Sequence, residues 1–248
     1  MTPVRSVPPA GRFVLIVVTL VVALASLALG IWQLRRLGTR RAANREAAAM
    51  RAMPPLRLGA VPAILAPNRR AQARGSYDEE REFLLRDRVV QGVPAVLVIT
   101  PLRIAGQDTA ILVNRGFVPA PDATDPGNAT WAEPGQVQVR GVLLPIPDRN
   151  DGDPIRHAGR ETWQSFDLKG MRERLPYPIA PVFLVAVPDS GSLVHTIRGR
   201  AYPFRAEPPE LGEGPHLAYA VQWFMIAAAA IVYGVLFALR PPTSRLVE

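Results

Sequence analysis

The chain has 248 residues, a formal net charge of +8 and no cysteine. The lack of cysteine excludes disulfide bonds, thiolate metal sites and a cysteine nucleophile. Of the 29 basic residues only Lys169 is a lysine. No zinc-ligand spacing or other nucleic-acid motif accompanies the arginines, so the positive charge does not indicate a nucleic-acid partner.

The first long apolar segment covers residues 13–34, which follow a short tail (1–12) and contain no charge. A helix of this length extends about 33 Å, enough to cross a hydrocarbon core of about 30 Å. An Ala-Leu-Ala sequence at 23–25 resembles a signal-peptide cleavage site. The apolar run nevertheless continues to Leu34, which is too far for an ordinary signal and favours a retained membrane anchor.

A cluster of arginines follows this span and consists of Arg35, Arg36, Arg40, Arg41 and Arg45. Residues 39–51 are rich in alanine and arginine, which predicts a helix that continues or follows the span. Because arginine and lysine accumulate on the cytoplasmic side, the cluster would be cytoplasmic. The arginines in 240–248, after the second span, favour the opposite orientation. The residues alone therefore leave the orientation open.

Residues 35–216 mix acidic and basic side chains, which is typical of a folded, hydrated domain. Short runs rich in valine, isoleucine, leucine and phenylalanine, separated by glycine and proline, predict β-strands over 83–90, 95–100, 110–118, 136–144 and 182–187. One helix is predicted over 168–175, with Asp167 as its N-cap. We therefore expect a β-rich α+β domain, built on an antiparallel sheet or a small barrel.

A glycine interrupts the strand predicted over 110–118, in the sequence Asn114-Arg115-Gly116. Glycine inside a strand indicates a β-bulge or a close approach of another backbone segment. This segment is therefore expected to be structural rather than catalytic.

The second long apolar segment covers residues 217–239, again without a charge, and a short tail (240–248) follows it. The whole chain is thus predicted to be a membrane protein: a two-helix transmembrane hairpin with the β-rich domain inserted between the helices.

No motif of conventional hydrolytic or transfer chemistry is found: the sequence has no His-Glu-x-x-His pair, no Gly-x-Ser-x-Gly elbow and no P-loop. We therefore expect a protein that is not an enzyme. Of the three histidines, His157 and His195 belong to the inserted domain, and only His216 lies at a span.

His216 is the candidate metal ligand, because a histidine in the first turn of a helix is kept neutral by the helix dipole, and haem iron requires a neutral imidazole. The helical period places His216, Tyr219 and Trp223 on one stripe. The candidate cofactor-binding residues at similar depth are Gln222, Trp32 and Gln33, together with Arg35 and Arg36 for carboxylates such as haem propionates. The alternatives are a solvated histidine and an interfacial belt of tryptophans.

Four segments resemble the Surfeit locus protein family. They are Leu29-Gly-Ile-Trp-Gln-Leu-Arg-Arg, Gly75-Ser-Tyr-Asp with Pro101-Leu, Val113-Asn-Arg-Gly-Phe-Val-Pro, and His216-Leu-Ala-Tyr-Ala-Val-Gln-Trp-Phe. Their order and placement are similar to the family from about residue 13 to residue 239. Phe117 stands where the family commonly has tryptophan.

The resemblance implies an assembly factor that helps haem a reach the catalytic subunit of haem–copper cytochrome c oxidase, with the haem a synthesis machinery as a further partner. It also implies a bacterial inner membrane location, cytoplasmic termini and a periplasmic domain over 35–216. In bacterial members the histidine that opens the second span is thought to ligate haem, which carries over here to His216. The alternative is a membrane-tethered adaptor that stabilises oxidase subunits or intermediates without binding haem, and an unrecognised periplasmic enzyme is a third possibility.

Overall fold

A computed structural model describes residues 9–59, 67–90, 92–147, 154–157, 160–188, 195–197, 200–205 and 210–239. Most of the two predicted tails, 1–8 and 240–248, therefore lies outside the described residues. The chain divides into two compact units, the first formed by residues 1–46 with 211–248 and the second by residues 47–210.

The α-helices of the described chain are α1 (Pro9–Ala52), α2 (Leu168–Glu173) and α3 (His216–Leu239). Helix α1 has no break at the end of the apolar run, so the helix predicted over 39–51 is its direct continuation. Both α1 and α3 are long and apolar enough to cross a membrane. The chain is therefore a membrane protein.

In the first unit, α1 and α3 pack against each other in antiparallel register at small side chains. A Cβ atom added at Gly30 would lie 2.5 Å from the Phe224 ring, and one added at Gly234 would lie 3.0 Å from Thr19 Oγ1. Ser26 on α1 and Ala227 on α3 are almost fully buried. Small residues allow such close contact, which is the usual basis of helix association in lipid.

The second unit is built mainly from β-strands. In chain order they are β1 (Leu56–Arg57), β2 (Arg70–Tyr77), β3 (Phe83–Val90), β4 (Val93–Ile104), β5 (Ala110–Pro119), β6 (Gln136–Pro145), β7 (Ile155–His157), β8 (Arg160–Trp163), β9 (Ile179–Ala186), β10 (His195–Ile197) and β11 (Arg200–Tyr202). All five predicted strands are confirmed, with ends that differ by a few residues. A 3₁₀ turn, Glu79–Arg81, follows β2.

Five strands close into a barrel in the order β2-β6-β9-β5-β4, because β4 returns to pair with β2. The pairing is antiparallel except between β5 and β9, which are parallel. One edge of β4 pairs with β3 through Val93–Ile99 and then with β2 through Leu102–Ile104. Strands β8 and β7 extend the sheet beyond β3. The predicted β-rich fold is confirmed, and the small barrel is the observed form.

The hydrophobic core of the second unit has two main parts. Apolar side chains of β2, β5, β6 and β9 pack together as one cluster, which includes Val113, Val139 and Leu184. Helix α2 covers a second cluster through Met171, which is fully buried. As predicted, Asp167 caps this helix and accepts a hydrogen bond from Gly170 N at 3.0 Å, but the helix ends at Glu173, two residues early.

The predicted irregularity in β5 is a β-bulge centred on Arg115. Asn114 pairs with Ile99 and Gly116 pairs with Val98, so Arg115 is the extra residue of the bulged strand. Gly116 has a φ of 121°, and a Cβ atom there would lie 2.4 Å from the carbonyl oxygen of Phe204. Both the bulge and the close backbone approach expected from the glycine are thus present.

The bulge directs the Arg115 guanidinium into a buried ion cluster. Arg115 Nη2 lies 3.0 Å from Glu133 Oε1, and Arg205 Nη2 lies 3.0 Å from the same oxygen. Glu79 Oε1 accepts a hydrogen bond from Arg115 Nη1 at 3.4 Å and one from the backbone N–H of Glu133 at 2.6 Å. The Arg115 guanidinium also lies 4.4 Å from the Tyr77 ring centroid. Two arginines and two glutamates therefore compensate one another's charge, as buried ions require.

Replacing Gly116 with alanine should destabilise the domain, because the new methyl group meets the Phe204 carbonyl and the backbone conformation is strained for an L residue. We expect the free energy of unfolding to fall by about 3 kcal/mol. Urea unfolding of the intact chain, followed by tryptophan fluorescence, measures the change.

Gly127→Ala is the matched control. Gly127 also has a positive φ, 63°, but no atom lies within 4 Å of its Cβ position. Equal losses of stability in the two variants would contradict the proposed backbone collision at Gly116.

Candidate functional site

The candidate site lies in the first unit, where α3 begins. His216 Nδ1 lies 2.8 Å from Gln33 Oε1 of α1. Because an amide oxygen can only accept, Nδ1 is the donor in this contact, and Nε2 is the ring nitrogen that remains for another partner. Gln33 is 9% exposed, whereas the His216 side chain is only partly buried. The structure thus presents an imidazole that is oriented by a buried amide.

The segment that leads into α3, residues 211–214, is called the strap. Asn44 Nδ2 donates to the carbonyl oxygens of Leu211 at 2.7 Å and Gly212 at 3.2 Å. Arg40 Nε donates to the same Gly212 oxygen at 3.0 Å. Side chains of α1 therefore hold the backbone of the strap and position the first turn of α3.

A bidentate ion pair completes this contact. Arg41 Nε and Nη2 donate to the two carboxylate oxygens of Glu213 at 2.8 and 2.9 Å. The hydrogen bonds from Arg41, and then its charge, hold the pKa of Glu213 below its ordinary value. Part of the arginine cluster that the sequence left unexplained thus binds the strap.

The other predicted site residues are placed differently. Trp223 is partly buried. The other candidate side chains are exposed on the helix surfaces, namely Tyr219, Gln222, Trp32, Arg35 and Arg36. Among these eight candidate residues, the side-chain hydrogen bond is between His216 and Gln33.

Sequence reasoning did not assign a role to Gly30 and Phe224, although both belong to segments that it singled out. Their contact brings the two helices together about two helical turns below His216. The Phe224 ring therefore lies against the α1 backbone at this level. The available signal was a glycine on one span and an aromatic residue on the other. Matching the two requires the register of the antiparallel helices, which the sequence does not give.

His157 and His195 lie in the second unit, on β7 and β10. Among the described residues no group of three or more histidine, aspartate or glutamate side chains is arranged to hold a metal ion. A metal bound at His216 would therefore have fewer than three such protein ligands in this part of the chain.

A cleft of about 650 Å³ lies in the second unit beside the 3₁₀ turn. Glu82 accepts a hydrogen bond from Trp131 Nε1 at 2.9 Å, and burial raises the pKa of this carboxyl group. Arg174 Nε lies 2.6 Å from Glu161 Oε1. Both charged groups thus have partners within the fold.

The family model described as SURF1 family matches residues 20–228, which include the barrel and the greater part of each long helix. The chain belongs to the SURF1 family. A SURF1-like protein from Monosiga brevicollis is 27% identical over 225 residues, covering 85% of this chain and 82% of the relative.

Other members of the family align over most of their length. Surfeit locus protein 1 from Homo sapiens is 24% identical, over 86% of this chain and 73% of its own length. A SURF1-like protein from Rickettsia felis is 23% identical, over 85% of this chain and 91% of its own length. The match to the SURF1 family confirms the resemblance drawn from the four sequence segments.

The ion pair with Arg41 predicts a pH dependence for the strap. Because the folded-state pKa of Glu213 is lowered, the pair is fully formed at neutral pH and is lost as the pH falls through that lowered value. Replacing Arg41 with glutamine should raise the pKa of Glu213 towards its ordinary value. Carbon-13 NMR of labelled glutamate side chains, assigned with Glu213→Gln, measures it.

Arg40→Gln is the matched control, because Arg40 donates to a backbone carbonyl and not to the carboxylate. An unchanged pKa in the Arg41 variant, or equal changes in both variants, would contradict the assigned partner.

Proposed function

We propose that this protein is an assembly factor for haem–copper cytochrome c oxidase, which binds haem a through His216 and aids its insertion into the catalytic subunit. It would act without catalysing a reaction. The proposal takes the oxidase role from the resemblance to the Surfeit locus family, and it takes the haem contact from the geometry of the histidine.

The hydrogen bond between His216 and Gln33 is the observation that carries the proposal. A haem ligand must be a neutral imidazole with a free lone pair, and its second nitrogen usually donates to a fixed oxygen. Gln33 supplies such an oxygen from a nearly fully buried position. Burying an amide in an apolar helix pair is costly unless it is hydrogen bonded, so the pair indicates a dedicated arrangement.

The residues around His216 fit a transient rather than a permanent ligand. The strap holds the first turn of α3 through Asn44 and Arg40, so the imidazole does not need the cargo to fix its position. His216 would hold haem through one iron–imidazole bond, and bound haem would supply the iron centre that is passed to the acceptor. Tyr219 and Trp223 lie on the same side of α3 as His216 and would contact the macrocycle.

Replacing His216 with alanine should abolish haem retention. The intact protein would be purified from cells that make haem a, and the Soret absorption and extracted haem would be measured at equal protein. His157→Ala and His195→Ala are the matched controls and should retain wild-type haem. Gln33→Leu should keep the ligand but weaken haem binding by about ten-fold or more, because the ring loses its orienting acceptor.

The outcomes separate the alternatives. Unchanged haem in the His216 variant would refute ligation. A wild-type protein that copurifies with oxidase subunits but never carries haem would instead support the membrane-tethered adaptor.

We further propose that both termini are cytoplasmic and that residues 35–216 lie in the periplasm of a bacterial cell. A reporter enzyme active only in the periplasm should give signal when it is inserted within 119–135, a stretch rich in proline and loops. The same reporter fused after Glu248 should be silent. The reverse pattern would refute this orientation.

A further inference from the structure

The surface of α1 at the end of its apolar run carries two arginines beside an exposed tryptophan. Arg35 and Arg36 directly follow Leu34, and Trp32 is 52% exposed. We propose that Trp32 and Arg35, with Arg36 beside them, bind the phosphate headgroup of an anionic phospholipid. The proposal concerns α1 alone and does not depend on the haem function.

The helical rotation separates this surface from the haem side of the hairpin. At about 100° per residue, Arg35 lies about 160° around α1 from Gln33, whose side chain contacts His216. Trp32 and Arg35 are three residues apart and are therefore neighbours on the helix surface. Arg35 is thus directed away from α3 and is not placed to reach a ligand held by His216.

The two arginines differ from those that follow them in what they contact. Arg40 and Arg41 bind the strap through Gly212 and Glu213. In the part of the chain that the structure describes, the guanidinium groups of Arg35 and Arg36 have no hydrogen-bond or ion-pair partner. Two adjacent guanidinium groups without a counter-charge repel each other, and an external anion would relieve that repulsion.

Their position along the helix identifies the anion. Arg35 and Arg36 lie within about 3 Å of Leu34 along the helix axis, at the level where the hydrocarbon core gives way to lipid headgroups. Guanidinium groups form paired hydrogen bonds with phosphate oxygens, and tryptophan rings favour the same interfacial depth. The combination fits an anionic headgroup better than a zwitterionic one, whose own cation would be repelled.

Spin-labelled lipids provide the test. The intact protein, purified without haem, would be reconstituted in phosphatidylcholine bilayers that contain spin-labelled phosphatidylglycerol or phosphatidylcholine. The motionally restricted fraction then gives the relative association of each lipid. We expect wild-type protein to prefer phosphatidylglycerol, and Arg35→Ala to reduce this preference roughly five-fold, the usual contribution of one arginine near an anionic bilayer surface. Arg35→Lys should retain most of it.

Arg45→Ala is the matched control. Arg45 is exposed on the same helix but lies about 15 Å further from the apolar run, beyond the screening length of its charge. Its removal should leave the lipid preference unchanged. Equal association of both lipids with the wild-type protein would overturn the proposal, as would equal losses in the Arg45 and Arg35 variants, which would indicate only a diffuse effect of net charge.

Discussion

Direct contact between α1 and α3 at small residues is the constraint on which the candidate site depends. In lipid, apolar side chains gain nothing from burial against one another, so helix association relies on close van der Waals packing and on interhelical hydrogen bonds. Gly30 allows the Phe224 ring to lie against the α1 backbone. Once that register is set, Gln33 lies opposite His216 and Arg41 lies opposite Glu213. The placement of the His216 imidazole is therefore a consequence of helix packing.

The arginines after the first span lie on two different sides of the same helix. Those on the side of α3 bind the strap, through one backbone carbonyl and one carboxylate. Those nearest the apolar run point to the outer surface and have exposed side chains. A rule that counts positive charges treats these residues alike, whereas their physical roles differ because the helix turns by about 100° per residue.

The structure of the inserted domain depends on a different constraint, which is that the charge of the buried Arg115 side chain must be compensated. Its side chain is fully buried, and removal of either partner of a buried ion pair is strongly destabilising. Glu133, Glu79 and Arg205 come from three separate loop segments, so their charges connect those segments to β5. The bulge at Arg115 and the glycine that follows it allow the Arg115 side chain to point into the buried ion cluster.

Sequence by itself determined the two spans, four of the five barrel strands together with β3, and the irregularity at Gly116, because each depends on local composition or period. It missed β2, whose sequence Arg-Ala-Gln-Ala-Arg-Gly-Ser-Tyr has almost no β-branched residue and becomes a strand only by pairing with β6 and β4. It also grouped Trp32, Gln222 and Arg35 with His216, because residue numbers give the depth of a side chain in the membrane. They do not give the side of the helix that faces the neighbouring helix. Only the tertiary structure selected Gln33 as the partner of His216, because the facing side chain depends on the register and rotation of a helix 183 residues away in sequence.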